Sequence, residues 1–262
     1  MTRCVVEALT FAGRRLRHLR RAPGRLLGVT LNPVLFLLVF GHMFTAAIVV
    51  PGTSNYAEYL FAGAAVQVGL AGIGATAVAV ATDLRGGLVD RFRSLPVTRG
   101  SVLAGHVLAD WVVAVLALSV VAGVGTLVGW RTNTDLVSTV AGFGVAAAFA
   151  FVMSWVGVLL GLLLVNPESI GALTPLLVVV LPLLSNAFLG TESLPAWLRP
   201  IAEWNPLTSV ITACRELWGN PTLGAGGFAG GDPITAAALG LGATLLVAAI
   251  WSMRRYRAPA FG

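Results

Sequence analysis

A chain of 262 residues with 57% hydrophobic and only 11% charged side chains cannot cover the surface of a soluble domain with polar groups. Its mean hydropathy is +0.87. Its net charge is +6, and arginine supplies the basic side chains because the sequence contains no lysine. The composition predicts an all-α membrane protein. It excludes a water-soluble enzyme and gives no sign of nucleic-acid binding, which needs basic residues gathered on one folded face.

The first 25 residues predict an amphipathic helix that lies on the membrane surface. Val5, Leu9, Ala12, Leu16 and Leu19 recur at helical spacing, with arginines around the remaining circumference. A charge cluster that only orients the chain would explain the arginines but not the apolar stripe. The apolar run that follows is too long for the core of a cleavable signal peptide. The arginines of this predicted interfacial helix are Arg14, Arg15, Arg17, Arg20 and Arg21.

Six apolar runs are long enough to cross the membrane as helices, since a span of about 30 Å needs roughly 20 helical residues. Their Leu, Val, Ala and Gly content is typical of helices, and the alternating pattern of a membrane barrel is missing. The predicted spans are 26–50, 59–81, 102–128, 137–165, 170–189 and 233–252.

The arginines also predict the orientation of the chain. Fourteen of the seventeen precede span 1, lie between spans 2 and 3, or follow span 6. The other three are Arg131, Arg199 and Arg215. Because cytoplasmic loops carry the excess of basic residues, both termini and the segment between spans 2 and 3 are predicted to be cytoplasmic.

The segment 82–100, between spans 2 and 3, predicts a short cytoplasmic helix. Leu84, Leu88, Phe92 and Leu95 fall on one helical face, and Pro96 ends the pattern. Loops that only join two helices need about 2 to 8 residues, and this one is longer. An ordinary charged connector remains the alternative.

The segment 190–232, between spans 5 and 6, predicts short helices on the outer face. Asn205 and Pro206 supply a helix cap and a first-turn proline between two apolar stripes. Trp197, Trp204 and Trp218 are expected at the membrane interface, where indole rings concentrate. The stripes are Leu194, Trp197, Leu198 and Ile201, then Leu207, Val210, Ile211, Cys214, Leu217 and Trp218.

Three stretches carry a family resemblance: "NPVLFLLVFGHMF" in span 1, "GGLVDRFRSLPVTRGSVLAGHVLAD" before span 3, and "LPAWLRPIAEWNPLTSVITACRELWGN" before span 6. In this order they resemble the permease subunit of type-2 ABC exporters, especially the daunorubicin-resistance branch of actinobacteria. The resemblance covers nearly the whole chain. It implies one transmembrane permease domain over 1–262 in a bacterial inner membrane, exporting an amphipathic substrate such as a drug, a lipid or a polyketide-like compound.

The resemblance also implies partners: a cytoplasmic ABC ATPase that binds ATP and Mg²⁺, a second permease copy or paralogue, and membrane lipids. The charged segment 82–100 would then be the coupling helix, whose charges face the ATPase. Together with the interfacial helix it would form the docking surface. The implied coupling residues are Asp83, Arg85, Gly86, Gly87, Asp90, Arg91, Phe92, Arg93, Leu95 and Pro96.

The source of energy follows from what the chain lacks. It has no G-x-x-x-x-G-K-[ST] motif and no lysine, so it cannot be an ATPase of the P-loop class, and no cofactor or metal site of its own is expected. Energy must come from another subunit or from an ion gradient. For the gradient alternative, a proton-coupled carrier, His106 and Asp110 lie one turn apart in span 3 and could relay protons. The other interpretation is a mutually satisfied pair.

Further polar side chains inside the spans are candidates for a translocation path. The set is Asn32, His42, Gln67, His106 and Asp110. A membrane enzyme would need two apposed carboxylates or a serine beside a base. Asp110 has no second intramembrane carboxylate, and no base lies near Ser119, Ser154 or Ser185 in the sequence.

Overall fold

A computed structural model of the protein describes residues 24–43, 55–86, 99–223 and 231–257. These parts of the chain form helices joined by short connections, and no strand occurs among them. The predicted interfacial helix before residue 24 and the centre of the charged segment, 87–98, lie outside the described residues. The helices are α1 (Gly24–Met43), α2 (Tyr56–Arg85), α3 (Arg99–Val128), α4 (Leu136–Leu164), α5 (Pro167–Leu183), α6 (Arg199–Glu203), α7 (Pro206–Trp218) and α8 (Pro233–Arg257), with a 3₁₀ turn at Thr191–Ser193.

Five of these helices, α1, α2, α3, α4 and α8, are long and apolar enough to cross a membrane. The fifth predicted span, 170–189, is shorter in the structure, where α5 has 17 residues. It begins earlier than expected because Asn166 caps it and Pro167 occupies the first turn. It ends at Leu183, where the Leu184 N–H bonds to Val180 O and Pro182 O. Residues 184–188 then continue as a non-helical segment, in which 185–188 are buried.

Helix α2 is the centre of the bundle. It contacts α1, α3, α4, α5 and α7, and 78% of its most apolar window is buried inside the protein. A helix that is apolar all round and rich in Gly and Ala allows neighbours to approach on every side. The Asn55 side chain begins α2 by accepting a hydrogen bond from the Ala57 N–H.

Close packing of α2 against α4 depends on glycines. Gly157 and Gly161, four residues apart on α4, face Ile73 and Ala77 of α2. A Cβ atom at Gly157 would lie 2.6 Å from Ile73 O, and one at Gly161 would lie 2.6 Å from Ala77 O. The two backbones are therefore in direct contact, as in other membrane helix pairs with a small-xxx-small pattern.

The boundaries of the charged segment differ from the prediction. Helix α2 continues through Asp83 to Arg85, and α3 begins at Arg99, so the connection is shorter than the predicted 82–100. No proline interrupts α2 before Gly86, whose N–H closes the last turn on Thr82 O and Leu84 O. Leu84, predicted to start the stripe of the loop helix, instead packs at the end of α2 on the cluster around Val80 and Leu103.

Candidate functional site

Buried polar side chains join α2 to α3 near the end that leads into the charged segment. The Thr76 hydroxyl donates a 2.7 Å hydrogen bond to Asp110 Oδ2, and both side chains are buried. Further along, His106 Nε2 lies 3.0 Å from Asp83 Oδ2. A carboxylate inside an apolar bundle needs such partners because its desolvation is otherwise costly.

The partner of His106 differs from the one expected. Its Nε2 atom pairs with Asp83 of the neighbouring helix, not with Asp110 one turn away, and its Nδ1 atom is buried without a hydrogen-bond partner among the described residues. The structure thus brings together one residue assigned to the coupling segment and one assigned to the translocation path. The Asp83–His106 pair fastens α3 to α2 near the ends that lead into 87–98, and the Thr76–Asp110 pair does so about 10 Å further along α2.

A second polar position lies at the other end of α2, around the fully buried Arg215 of α7. Its Nε atom donates to Tyr59 O at 3.1 Å. Its Nη2 atom donates to Tyr59 O at 2.9 Å and to Asn186 O and Ala187 O, each at 3.0 Å. The guanidinium carbon also lies 3.6 Å from the centre of the Tyr59 ring. Arginine suits this site because its planar fork can bond several acceptors while stacking on an aromatic face.

Two tyrosines of α2 complete this position. Tyr56 donates to Phe188 O at 2.7 Å, and Tyr59 donates to Asn186 O at 2.9 Å. Asn186 in turn donates to Thr212 Oγ1 of α7 at 2.9 Å. We call Arg215, Tyr56, Tyr59 and the carbonyl groups of 186–188 the arginine clamp. It ties α7 and the non-helical segment 184–188 to the start of α2.

Comparison with known proteins decides the family. Residues 7–217 match the family model described as ABC-2 type transporter. The chain belongs to the ABC-2 type transporter family. This ABC-2 permease is 31% identical over 213 residues to the daunorubicin resistance ABC transporter permease protein DrrB1 of Streptomyces coeruleorubidus, covering 81% of this chain and 75% of that relative. It is 26% identical over 219 residues to the transport permease ycf38 of Cyanophora paradoxa, covering 82% and 74%.

The family and the apolar helices identify a multi-pass membrane protein and a transporter permease subunit. The resemblance inferred from the sequence is therefore confirmed. Permease subunits of this kind are not themselves ATPases, which agrees with the absence of a P-loop motif from the sequence.

Helix α7 of this ABC-2 permease is more deeply buried than predicted. The cap at Asn205 is confirmed, since its side chain accepts from the Leu207 N–H. The placement of Trp218 at an interface is wrong: the residue is 0% exposed and donates from Nε1 to Thr139 O of α4. Trp197 and Trp204 are exposed, at 73% and 67%.

From the sequence, Arg215 is predicted only to be a basic residue between spans, and the arginine clamp is not predicted. The sequence nevertheless contains a signal for the buried position of Arg215. Arg215 lies four residues after Ile211 and three before Trp218, which places it on the buried stripe of α7. A cation on such a stripe requires buried acceptors.

The other residues predicted for a translocation path of the ABC-2 permease do not gather at one place. Asn32 and His42 are exposed on α1, about 15 Å apart along the helix axis at 1.5 Å per residue. Gln67 is buried in the middle of α2, with Oε1 unpartnered among the described residues. Helix α1 continues through Pro33, which lies inside it.

The serine residues weighed for a membrane enzyme are committed to backbone hydrogen bonds. Ser119 donates to Val115 O, Ser154 to Ala150 O and Ser185 to Pro182 O, at 3.0, 2.9 and 2.7 Å. A nucleophilic serine would instead donate to a base. The geometry of these three side chains therefore favours structural roles.

Substitutions at Asp110 separate a structural role from a proton relay. Asp110→Asn keeps an oxygen acceptor for Thr76, so we expect transport to change by no more than about twofold. Asp110→Leu leaves the Thr76 hydroxyl buried beside an apolar group, and we expect it to lower the free energy of unfolding by about 1–3 kcal/mol. The measurements are transport in vesicles and thermal stability in detergent. A proton relay through Asp110 predicts instead that Asp110→Asn is stable but inactive in transport, because an amide cannot take up and release a proton.

Proposed function

We propose that this ABC-2 permease is the membrane subunit of an ATP-driven exporter that moves an amphipathic substrate out of the cytoplasm or the inner leaflet. The observation that carries the proposal is the family match, which runs over residues 7–217 of a chain whose described part is a bundle of apolar helices. The relative named for daunorubicin resistance supports a drug or drug-like substrate. A permease of this kind needs no covalent chemistry, because transport requires only alternation between conformations.

The proposed topology has six spans, with both termini in the cytoplasm of a bacterial inner membrane. Five helices have the length of a span. In the proposed topology, α5 together with the non-helical segment 184–188 makes the remaining pass. The concentration of arginine before α1, between α2 and α3, and at the end of α8 supports this orientation. Under it, α6, α7 and the arginine clamp lie toward the outer face.

The proposed assembly contains two permease chains, as copies or paralogues, and two ATPase chains that bind ATP and Mg²⁺. The segment 82–100 and the N-terminal arginine helix form the proposed docking surface. Of the proposed coupling residues, Asp83, Arg85 and Gly86 are described, and they close the end of α2. The Asp83–His106 pair supports coupling, since it joins this end to α3.

Reconstitution tests the proposal directly. The permease is purified with its ATPase and placed in vesicles, and uptake of an amphipathic dye or drug is followed with ATP outside. We expect transport that needs ATP hydrolysis and that persists when an uncoupler collapses the proton gradient. Transport that survives without ATP but stops with the uncoupler would instead support the proton-coupled carrier that uses His106 and Asp110.

Charge reversal in the proposed coupling helix should separate docking from folding. In the double variant Arg91→Glu with Arg93→Glu, like charges would meet across the interface at a cost of several kcal/mol. We expect near-normal membrane expression, loss of ATPase binding in pull-down, and export reduced by about tenfold or more.

The matched control reverses Arg254 and Arg255, which lie near the end of α8 after the predicted span 233–252. A reporter fused after residue 258 checks that the C-terminus of each variant stays inside, because reversing arginines can change topology. Normal ATPase binding and export in the Arg91/Arg93 variant would transfer the docking role to the N-terminal arginines.

A further inference from the structure

The connection between α4 and α5 contains a strained residue. Val165 follows the last residue of α4, and its φ of 50° and ψ of −18° place it in the left-handed region. Among the residues that the structure describes, no other non-glycine residue has a positive φ. This conformation is costly for any L-residue, and for a β-branched side chain such as valine it is an outlier. Glycine or asparagine usually occupies such a helix end.

The sequence around Val165 forces this conformation on it. Pro167 restricts the residue before it to extended conformations, and Asn166 accordingly has a φ of −98° and a ψ of 111°. Val165 and Asn166 alone join the two helices, so the reversal of the chain falls on Val165. The Asn166 N–H donates to Leu164 O and closes a three-residue turn. Such a turn is rare and strained when the φ of its central residue is positive.

Helix α5, which follows the strained turn, is weakly held by its neighbours. Of its 17 residues, Ile170, Val178 and Pro182 are buried. A cavity of about 530 Å³ lies between α2 and α5, lined by residues of 74–79 and 171–175. The two prolines inside α5 also lack the N–H groups that would bond to the carbonyls of the preceding turn. Few buried contacts and missing helical hydrogen bonds are typical of elements that open locally.

The two ends of α5 are held differently. At its far end, the segment 184–188 is fixed to α2 and α7 by the arginine clamp. At its near end, the first turn of α5 packs through Ile170 on Ala77 and Ala81 of α2. A change of φ at Val165 would redirect the chain that follows it. The start of α5 would then swing away from α2 while its far end stays in place.

We propose that Val165 is a strained hinge between two positions of α5. In the described conformation α5 packs on α2, and in the second conformation α5 has swung away and Val165 has left the left-handed region. The strain raises the free energy of the described conformation alone, so it increases the population of the second. The hinge lies at the same end of the bundle as the segment 82–100, since Gly161 of α4 faces Val80 of α2. It goes beyond the proposed function, because it requires neither ATP nor a substrate.

Cysteine labelling measures the population of the second conformation. The full chain carries Ile170→Cys with Cys4→Ser, and modification by N-ethylmaleimide in nanodiscs is followed by peptide mass spectrometry. Ile170 is 2% exposed, so a cysteine there reacts when α5 swings away. Val165→Gly removes the strain from the described conformation. We expect it to slow labelling about tenfold, which corresponds to about 1.4 kcal/mol.

Matched variants separate the strain from other effects of substitution. Val165→Ile keeps the β-branch and the strain, so it should label within about twofold of the original rate. Val165→Asn should slow labelling by less than Val165→Gly does, since asparagine tolerates the left-handed region. Ser169→Cys, an exposed neighbour on α5, should react equally fast in every variant. The natural Cys214, buried on α7, reports opening elsewhere and should not change.

A second reporter guards against a defect caused by Ile170→Cys itself. Ala81→Cys lies on the α2 side of the same contact and should show the same order of rates. Equal rates for Val165→Gly and Val165→Ile at both reporters would show that strain does not control α5, and the proposal would be wrong. A parallel change at Cys214 would contradict it by showing a general change in stability. Reporters that never react while Ser169→Cys reacts to completion would overturn it as well.

Discussion

Replacing Gly157 with leucine should separate α4 from α2 and prevent the protein from accumulating in a folded form. The new Cβ atom would lie 2.6 Å from Ile73 O and 2.8 Å from the Thr76 Cβ atom. The first of these neighbours is a backbone atom of the central helix, so no rotamer change can relieve the clash. Overpacking typically costs about 1–3 kcal/mol, and we expect a value at or above the upper end because the helices must move apart.

The measurement is the free energy of unfolding in mixed micelles, together with the yield of monodisperse protein. Gly144→Leu is the matched control, with the same substitution on the same helix at a position where the added side chain meets open space. It should unfold within about 0.5 kcal/mol of the original protein. If both variants were equally stable, the close approach of α2 and α4 would not be a determinant of the fold.

Replacing Arg215 with methionine should release α7 from the bundle. The change removes the donor that serves Tyr59 O, Asn186 O and Ala187 O, while keeping an unbranched apolar stem of similar length. A buried acceptor left without a donor costs about 1–3 kcal/mol. Tyr59 O retains its bond within α2 and Asn186 O retains the Tyr59 hydroxyl, so Ala187 O is the acceptor that loses its donor. We therefore expect a loss of about 1–3 kcal/mol in the free energy of unfolding, with increased proteolysis near 184–188.

Lysine at position 215 should rescue little of this loss, because a single ammonium cannot reproduce the fork that reaches three carbonyls and covers the Tyr59 ring. Arg199→Met is the control. Arg199 also donates to a backbone carbonyl, that of Glu192, but its side chain is 43% exposed, so water can replace it. Similar stability losses for the two methionine variants would contradict a special contribution from the arginine clamp.

The long apolar helices could be predicted from the sequence because each depends on a local run of residues. The beginning of α7 was equally accessible, since Asn205 and Pro206 act on the turn that immediately follows them. The end of α2 was misplaced by a few residues because apolarity fades at Thr82 and Asp83, whereas helical hydrogen bonding continues until Gly86.

The polar contacts depend on how separate helices pack, and that information is not local. Nothing near His106 in the sequence distinguishes Asp110 from Asp83, because helical spacing favours the first and the packing of α3 on α2 selects the second. Thr76 gives no sequence signal as the partner of Asp110. The acceptors of Arg215 are backbone carbonyls in two distant segments, and a carbonyl carries no residue identity.

Helix α2 contains 30 residues and no proline, and it forms one continuous helix of about 45 Å. The arginine clamp grips it at Tyr56 and Tyr59, and the Asp83–His106 pair grips it about 36 Å away. Because polar contacts fasten α2 near both ends, a rigid tilt of the helix would move the contacts at the two ends together. A tilt of only about 5° would displace the far end by roughly 3 Å, which is enough to exchange one set of carbonyl hydrogen bonds for another.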